Sequence, residues 1–330
     1  MQNNVNWILF MQTLRELAMC PNCSSTKLYW SATKVTCIDC LSEFRRDKEF
    51  VDFVESRTLS DLEVKALEVW SNDLHATALS APAHFVQIQS FFPDSWQRSL
   101  RGNVLEIGCG SGTDTLHLSN LNESISFFAF DLGGNVAGLS KMLRNQKNTH
   151  IFRATALQIP LKNESINMVY SFGVFHHTSN PAKCFEEAYR VLSKKGALFF
   201  YVYSSHEDNP FKYTGIWLEM LLMQIFKSIP KWMHMPFLFI VSLPCLLLFS
   251  WPALIFKLCG LKRFAKKFPM YWGTTPASIF PDLKDRLLAP VNHRFKHHDL
   301  KILLELTLFH EIYIKKTPAG LFGYCVKWYG

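Results

Sequence analysis

A chain of 330 residues with 48% apolar and 19% charged residues can bury a sizeable core, which excludes wholesale disorder. Its 15 glycines and 15 prolines exclude collagen-like and low-complexity chains, while 28 phenylalanines and a mean hydropathy of +0.04 are apolar for a purely soluble enzyme. The formal net charge of +8 is concentrated: between Pro210 and Thr275 eight Lys and Arg residues face one acid, Glu219, which leaves +7 in one segment.

The first residues, Met1 to Phe10, do not read as a secretory signal. Nine cysteines include two C-x-x-C pairs, Cys20-Pro21-Asn22-Cys23 and Cys37-Ile38-Asp39-Cys40, thirteen residues apart. That pattern fits a reducing cytosol with one metal site better than a secreted disulfide framework. Four thiolates at this spacing can form the closed tetrahedron of structural zinc, with no open position for catalysis. A redox pair would need a thioredoxin-like βαβ unit around it, and none is visible. The segment Leu14–Cys23 also resembles the start of small zinc-ribbon domains, so residues 1–55 are taken as a zinc-ribbon-like unit.

Residues 56–101 read as a helical connector, with Ser60-Asp61-Leu62-Glu63 as a helix start. From Gly102 short β-rich runs alternate with helix-forming stretches. The runs are Asn103–Ile107, Ile125–Phe130, His150–Arg153, Ile166–Ser171 and Ala197–Tyr203; Thr113–Ser119 and Ala182–Leu192 are the helical stretches. Such alternation predicts an α/β fold, doubly wound on a mostly parallel sheet. The runs Leu308–Lys315 and Leu321–Trp328 are joined by only five residues and predict an antiparallel edge hairpin, for seven strands in all.

The run Val104-Leu105-Glu106-Ile107-Gly108-Cys109-Gly110-Ser111-Gly112 reads as a buried strand entering a glycine-dense turn, where backbone can approach a ligand. It lacks the last glycine of the dinucleotide fingerprint, since Thr113 stands there. Asp131, nineteen residues after Gly112, closes the next strand and is placed to accept hydrogen bonds from ribose hydroxyls. These residues resemble the class I S-adenosylmethionine-dependent methyltransferases, a Rossmann-like family, from Gly102 to Tyr203. Ala154–Leu161 is similar to the family's adenine-side segment, Ile166–Val174 to its fourth strand, and Glu187–Gly196 to the helix and turn before its fifth. The resemblance implies cofactor contacts at Glu106, Gly108, Cys109, Gly110, Ser111, Gly112, Asp131, Thr155, Ala156 and Ser171. It also implies a cofactor-binding core over residues 102–204. The chain departs from the family at three places: Thr155 replaces an Asp near the adenine amine, Asn167 replaces an Asp opening the fourth strand, and Lys195 replaces a glycine.

Methyl transfer from a sulfonium needs positioning more than side-chain chemistry, and a base mainly when the acceptor is a hydroxyl. Candidate bases are His176 and His297, with His177, Tyr203, His293 and His298 as further candidates near the mouth; loop packing explains His177 better than catalysis does, and His176 equally well. Residues 299–330 supply the last helix and the edge hairpin.

Residues 205–298 form a long insertion. Met235–Phe256 holds no charged residue over 22 positions, long enough to cross a membrane. A single crossing would separate strands that belong to one sheet, and Pro236, Pro244 and Pro252 are expected to break a continuous helix. A re-entrant hairpin or interfacial helices remain, with Ile216–Phe226 as a second such helix. Flanking Lys227, Lys231, Lys257, Lys262, Arg263, Lys266 and Lys267, with Trp217, Trp232, Trp251 and Trp272, suit peripheral contact with an anionic inner leaflet through 210–275. A buried lid or a dimer interface is the other reading.

The expectation is a cytoplasmic, membrane-peripheral methyltransferase using S-adenosylmethionine and structural zinc, acting on a hydrophobic small molecule, lipid or lipid-linked sugar. An RNA methyltransferase is the rival within the class; the basic residues lie among apolar runs, which makes nucleic acid the weaker partner. A non-catalytic zinc-ribbon adaptor is the rival outside it.

Overall fold

The computed structural model describes residues 14–47, 50–55, 59–70, 100–121, 125–133, 136–146, 148–269 and 276–328. Most of the expected connector (71–99) and Trp272 lie outside the described residues.

Strands β1 (Leu28–Trp30), β2 (Lys34–Cys37), β3 (Glu43–Arg46) and β4 (Val51–Asp52) form an antiparallel meander at the N-terminal end. Helix α1 (Asp61–Trp70) follows, started by a capping box in which Ser60 Oγ accepts from the Glu63 amide while the Glu63 carboxylate accepts from the Ser60 amide. The central unit then runs β5 (Asn103–Ile107), α2 (Thr113–Asn120), β6 (Ser126–Asp131), α3 (Val136–Met142), β7 (Thr149–Arg153), β8 (Ile166–Phe172), α4 (Pro181–Val191) and β9 (Leu192–Val202). In β5, β6 and β7 nearly every residue is buried, as parallel strands covered on both faces require.

The strand order across the sheet is β1-β2-β3-β4-β7-β6-β5-β8-β9, with two C-terminal strands beyond. From β4 to β9, neighbours on either side of β5 pair in parallel. The chain moves outward from β5 through β6 to β7, then returns to lay β8 on the other side of β5. The crevice above the C-terminal ends of β5 and β8 is therefore the switch point where ligands bind in open α/β sheets. The resemblance's Asn167 is structural: its Oδ1 accepts from the Asn103 amide and its Nδ2 donates to Ser193 Oγ. Lys195 sits at φ +62°, the left-handed region that explains why a glycine suits that turn.

The N-terminal unit is not a separate body. β4 pairs in parallel with β7, extending the seven strands to an eleven-stranded sheet, and Arg153 donates to Asp52 across that seam at 2.9 Å. Val35, Cys37, Phe44, Val51 and Phe53 share one core with Phe128, Phe130 and Phe152. Phe53 meets Phe152 edge to face with centroids 6.0 Å apart.

The insertion contains α5 (Pro210–Ser228), α6 (His234–Cys245), α7 (Trp251–Leu258), α8 (Lys262–Ala265) and α9 (Pro276–Leu288). The expected break at the prolines does not occur. Lys231–Leu258 is one helical run of 28 residues, long and apolar enough by length and composition to cross a membrane. Pro236 and Pro252 occupy the first turns of α6 and α7, where a missing N–H costs little, and the run widens to a π-helical turn at Leu246–Ser250, just beyond Pro244. Inner faces of the insertion pack together through Met223, Phe226, Leu238, Leu246, Ile279 and Leu283. Helix α10 (His297–Leu306) then leads to β10 (Phe309–Lys316) and β11 (Leu321–Lys327), an antiparallel hairpin whose second strand inserts next to β9.

Candidate active site

A cavity of about 210 Å³ opens at the switch point. Its floor is the glycine turn after β5. Gly110 stands at φ +49° with nothing within 4 Å of where a Cβ would project, so the backbone there faces open space. Gly112 does a different job: at φ +75° it starts α2, and a Cβ would lie 1.9 Å from Leu139 of α3. The Asp131 carboxylate ends β6 beside this turn, with Oδ2 accepting from the Gly110 amide at 2.9 Å and Oδ1 from the Gly133 amide at 2.7 Å. A carboxylate retains further lone pairs after two such bonds, so the same group can accept from ribose hydroxyls.

Beneath the turn lies a buried polar network. Thr115 donates to Glu106 at 2.5 Å and Tyr170 donates to Asp114 at 2.9 Å. Burial, with the Asp114 charge beside it, pushes the Glu106 carboxyl up to about 8. The folded protein thus holds a proton that the unfolded chain releases from about pH 4.5 upward, so this group's contribution to stability is lost as pH rises toward 8. The loss reaches up to about 1.4 kcal/mol per pH unit. Glu106→Gln should remove that part of the pH dependence in urea unfolding between pH 5 and 8.5; equal slopes in both proteins would contradict the assignment.

Two strand spacings separate β7 from β5 and a third reaches β8, so the cavity runs about 14 Å along the strand ends from Thr155 to Gly173. At the β7 end are Ala154, Thr155 and Ala156, faced by Leu62, Glu63, Ala66 and Leu67 of α1. Thr155 donates its hydroxyl proton to Glu63 Oε1 at 2.5 Å. At the β8 end are Gly173, Val174, His177 and Thr178, with Asp285 of α9. Asp285 Oδ2 accepts from the Tyr203 hydroxyl at 2.7 Å and lies 3.3 Å from His177 Nε2, while His177 Nδ1 lies 3.3 Å from the Val291 carbonyl.

Of the sequence-predicted cofactor residues, Gly108, Gly110, Asp131, Thr155 and Ala156 line the cavity. Glu106, Cys109, Gly112 and Ser171 support it from outside the lining: Ser171, for example, donates to the Ile107 carbonyl at 3.3 Å. Ser111, outside the lining too, pairs with Thr113 at 2.9 Å. Neither predicted base is in the lining. His176 is fully buried, 3.8 Å centroid to centroid from the Tyr203 ring, and neither ring nitrogen has a hydrogen-bond partner among the described residues. Burial, then the neighbouring His177, holds it well below the usual histidine range and hence neutral. His297 is exposed at the first turn of α10. Glu63 and Asp285 were missed as site residues; the capping box marked Glu63 only as a helix start, and nothing local marks Asp285.

The four cysteine sulfurs of the two C-x-x-C pairs lie within 4.8 Å of one another, with Cys20 and Cys40 at 3.6 Å and Cys23 and Cys37 at 3.5 Å. Sulfurs of a tetrahedral zinc site are about 3.8 Å apart, so these residues fit a zinc ion. Hydrogen bonding with Ser42 draws the Cys40 thiol down to about 6, while burial pushes the Cys20 thiol up. The knuckles touch the cofactor side: Met19 donates its amide to the Pro160 carbonyl at 3.0 Å, Lys162 to Leu17 at 2.9 Å, and the Gln158 side chain donates to Pro21.

Residues 105–200 match a family model described as a methyltransferase domain. No curated protein matches the chain. Solved structures similar to it include a protein from Galdieria sulphuraria described as a sarcosine dimethylglycine methyltransferase, at 20% identity over 36% of this chain and 45% of that one, with a TM-score of 0.32. An S-adenosylmethionine-dependent methyltransferase from Aquifex aeolicus is 15% identical over 73% of this chain and 97% of that one, TM-score 0.40. Phosphoethanolamine N-methyltransferase 2 from Haemonchus contortus, in complex with S-adenosyl-L-methionine, is 11% identical over 77% of this chain and 42% of that one, TM-score 0.42. The chain spans a little under half the length of the first of these. The match assigns a methyltransferase domain to residues 105–200, the stretch that holds the glycine turn and Asp131.

Proposed function

We propose that the protein transfers the methyl group of S-adenosylmethionine to a hydrophobic acceptor, a small molecule, lipid or lipid-linked sugar, at a membrane surface. The observation that carries this reading is one cavity walled at its centre by Gly110 and Asp131 and at its end by Asp285 of the apolar, basic insertion. The cofactor supplies an already activated methyl group. The chain's task is to hold the nucleoside along the strand ends, exclude water and bring an acceptor to the β8 end. There the Asp285 carboxylate, oriented by Tyr203 and His177, offers a hydrogen-bond acceptor to an O–H or N–H of the incoming molecule.

Membrane contact is supported by the outer faces of the insertion. Trp217, Trp232, Phe239, Leu248, Ile255 and Leu258 are each at least 53% exposed, while the inner faces of the same helices are packed. Large apolar side chains exposed in such number on the helices of one insertion support a binding face rather than ordinary solvent-facing surface. Lys227, Lys257, Lys262, Arg263, Lys266 and Lys267 stand exposed around it and match an anionic leaflet, each worth about 1 kcal/mol near the surface. The pairing of β9 with β11, before and after the insertion, argues against a single crossing and supports a run Lys231–Leu258 that lies along the interface. The protein should float with vesicles containing anionic phospholipid, and a Trp217→Ser, Trp232→Ser, Leu248→Ser triple variant should remain at the bottom of the gradient. Flotation of that variant equal to the parent's would remove the membrane reading.

We infer that zinc occupies the four-cysteine site in a structural role. Labelled methyl from S-adenosylmethionine, counted in separated lipid, RNA and small-molecule extracts, tests the acceptor class. Label in the lipid or apolar small-molecule fraction is the expected result; label confined to RNA favours the rival reading.

A further inference from the structure

A nucleoside whose ribose hydroxyls meet Asp131 at the end of β6 has two directions along the strand ends. On the cofactor reading above, the reacting arm faces the acceptor end at β8, so the base points toward β7. The walls there are Leu62, Ala66 and Leu67 of α1 opposite Ala154 and Ala156, apolar surfaces suited to the two faces of a purine. One carboxylate enters this slot. Glu63 is 8% exposed, lines the cavity, and is fixed by two sets of contacts: Oε2 accepts from the amide and hydroxyl of Ser60, each at 2.9 Å, and Oε1 accepts from Thr155 at 2.5 Å. Thr155 thus fixes Oε1 at the wall of this slot.

We propose that Glu63 is the specificity-determining residue for the base of the cofactor, its carboxylate accepting a hydrogen bond from the exocyclic amine of adenine. The inference rests on the cofactor reading above and deepens it. An ionised carboxylate has only acceptors, so it favours a ring edge that carries a donor and repels one that carries a carbonyl oxygen. The strand-end residue Thr155 has no charge of its own, and its hydroxyl hydrogen is committed to Glu63. The acid at this edge of the cavity therefore comes from a helix some ninety residues earlier in the chain, α1, which also closes the slot. A hydroxyl at position 155 is then a positioning group for Glu63 rather than a weakened version of an acid.

The test compares S-adenosylhomocysteine with S-inosylhomocysteine, which replaces the amine by a carbonyl, by calorimetry on the full zinc-loaded chain. The parent should bind the adenosyl compound at least about tenfold more tightly, since a buried polar group facing the wrong partner is left unpaired. Glu63→Gln, whose amide can turn a donor or an acceptor to the base, should bring the two affinities to within about twofold. Ser60→Ala weakens the cap of α1 while leaving the carboxylate in place and should keep the tenfold preference. A Glu63→Gln protein that keeps the full preference overturns the proposal, as does one that weakens both ligands equally with the preference intact. A parent protein that binds neither compound overturns the cofactor reading and this proposal with it.

Discussion

Asp131→Ala should lower affinity for S-adenosylhomocysteine by about a hundredfold or more, measured by calorimetry on the full chain. Two ribose hydroxyls donating to one carboxylate make charge-assisted bonds of about 1.5–3 kcal/mol each, and about 2.7 kcal/mol in total already corresponds to a hundredfold. The substitution acts twice. The same carboxylate accepts from the Gly110 and Gly133 amides, so its removal also frees the turn that forms the cavity floor. Asp131→Asn separates the two effects, because it retains one acceptor oxygen for the turn and the ribose while losing the charge. An intermediate affinity is expected. Affinity unchanged in the alanine variant would contradict the assignment of the ribose site.

Removal of the zinc proposed for the four-cysteine site should have the second large effect. A structural zinc site contributes on the order of 10 kcal/mol to the fold that holds it, so chelation or Cys37→Ser should unfold the knuckles. The consequence reaches further than residues 1–55, because β4 is a strand of the main sheet and the knuckle backbone holds the 154–162 segment through Pro160, Lys162 and Gln158. Loss of those contacts frees Thr155 and Ala156 on the base-binding side. The expected result is one zinc per chain in the purified protein and, after its removal, a lower thermal midpoint with S-adenosylhomocysteine affinity reduced about tenfold or more. A metal-free protein that binds the ligand as tightly as the zinc-loaded one would show the two parts to be uncoupled.

The central strands were legible because each is a short, nearly continuous apolar run ended by a turn residue. Asn103–Ile107 is observed as expected, and the other runs are displaced by a residue or two at most of their ends. The exception is β9, whose extension back to Leu192 depends on pairing with Ile166 and on the left-handed Lys195. The docking of the cysteine unit was not legible: β4 has two residues, Val51 and Asp52, too few for any periodicity, and its partner lies a hundred residues away. The prolines of Met235–Phe256 misled in another way. Proline breaks a helix only where an N–H is needed and the backbone cannot adjust, and here two occupy first turns while a π-helical turn follows the third.

In the site, the glycine turn and Asp131 were readable because their spacing is local to one βαβ unit. The motif's remaining residues split by side-chain direction: Gly108 and Gly110 face the cavity, whereas Glu106 and Cys109 point into the protein, a distinction that a linear motif does not contain. Glu63 and Asp285 come from the helices before and after the domain, and only tertiary packing brings them to the two ends of one cavity. The same packing removes His176 from the cavity by burying it beneath Tyr203, leaving its neighbour His177 at the lining.

The most direct measurement is the crystal structure of the zinc-loaded chain with S-adenosylhomocysteine. The ribose hydroxyls should rest on Asp131, the purine between α1 and Ala154–Ala156, and the sulfur should point past Gly108 toward Gly173 and Asp285. A nucleoside lying in the opposite direction, or bound away from the glycine turn altogether, would contradict the account.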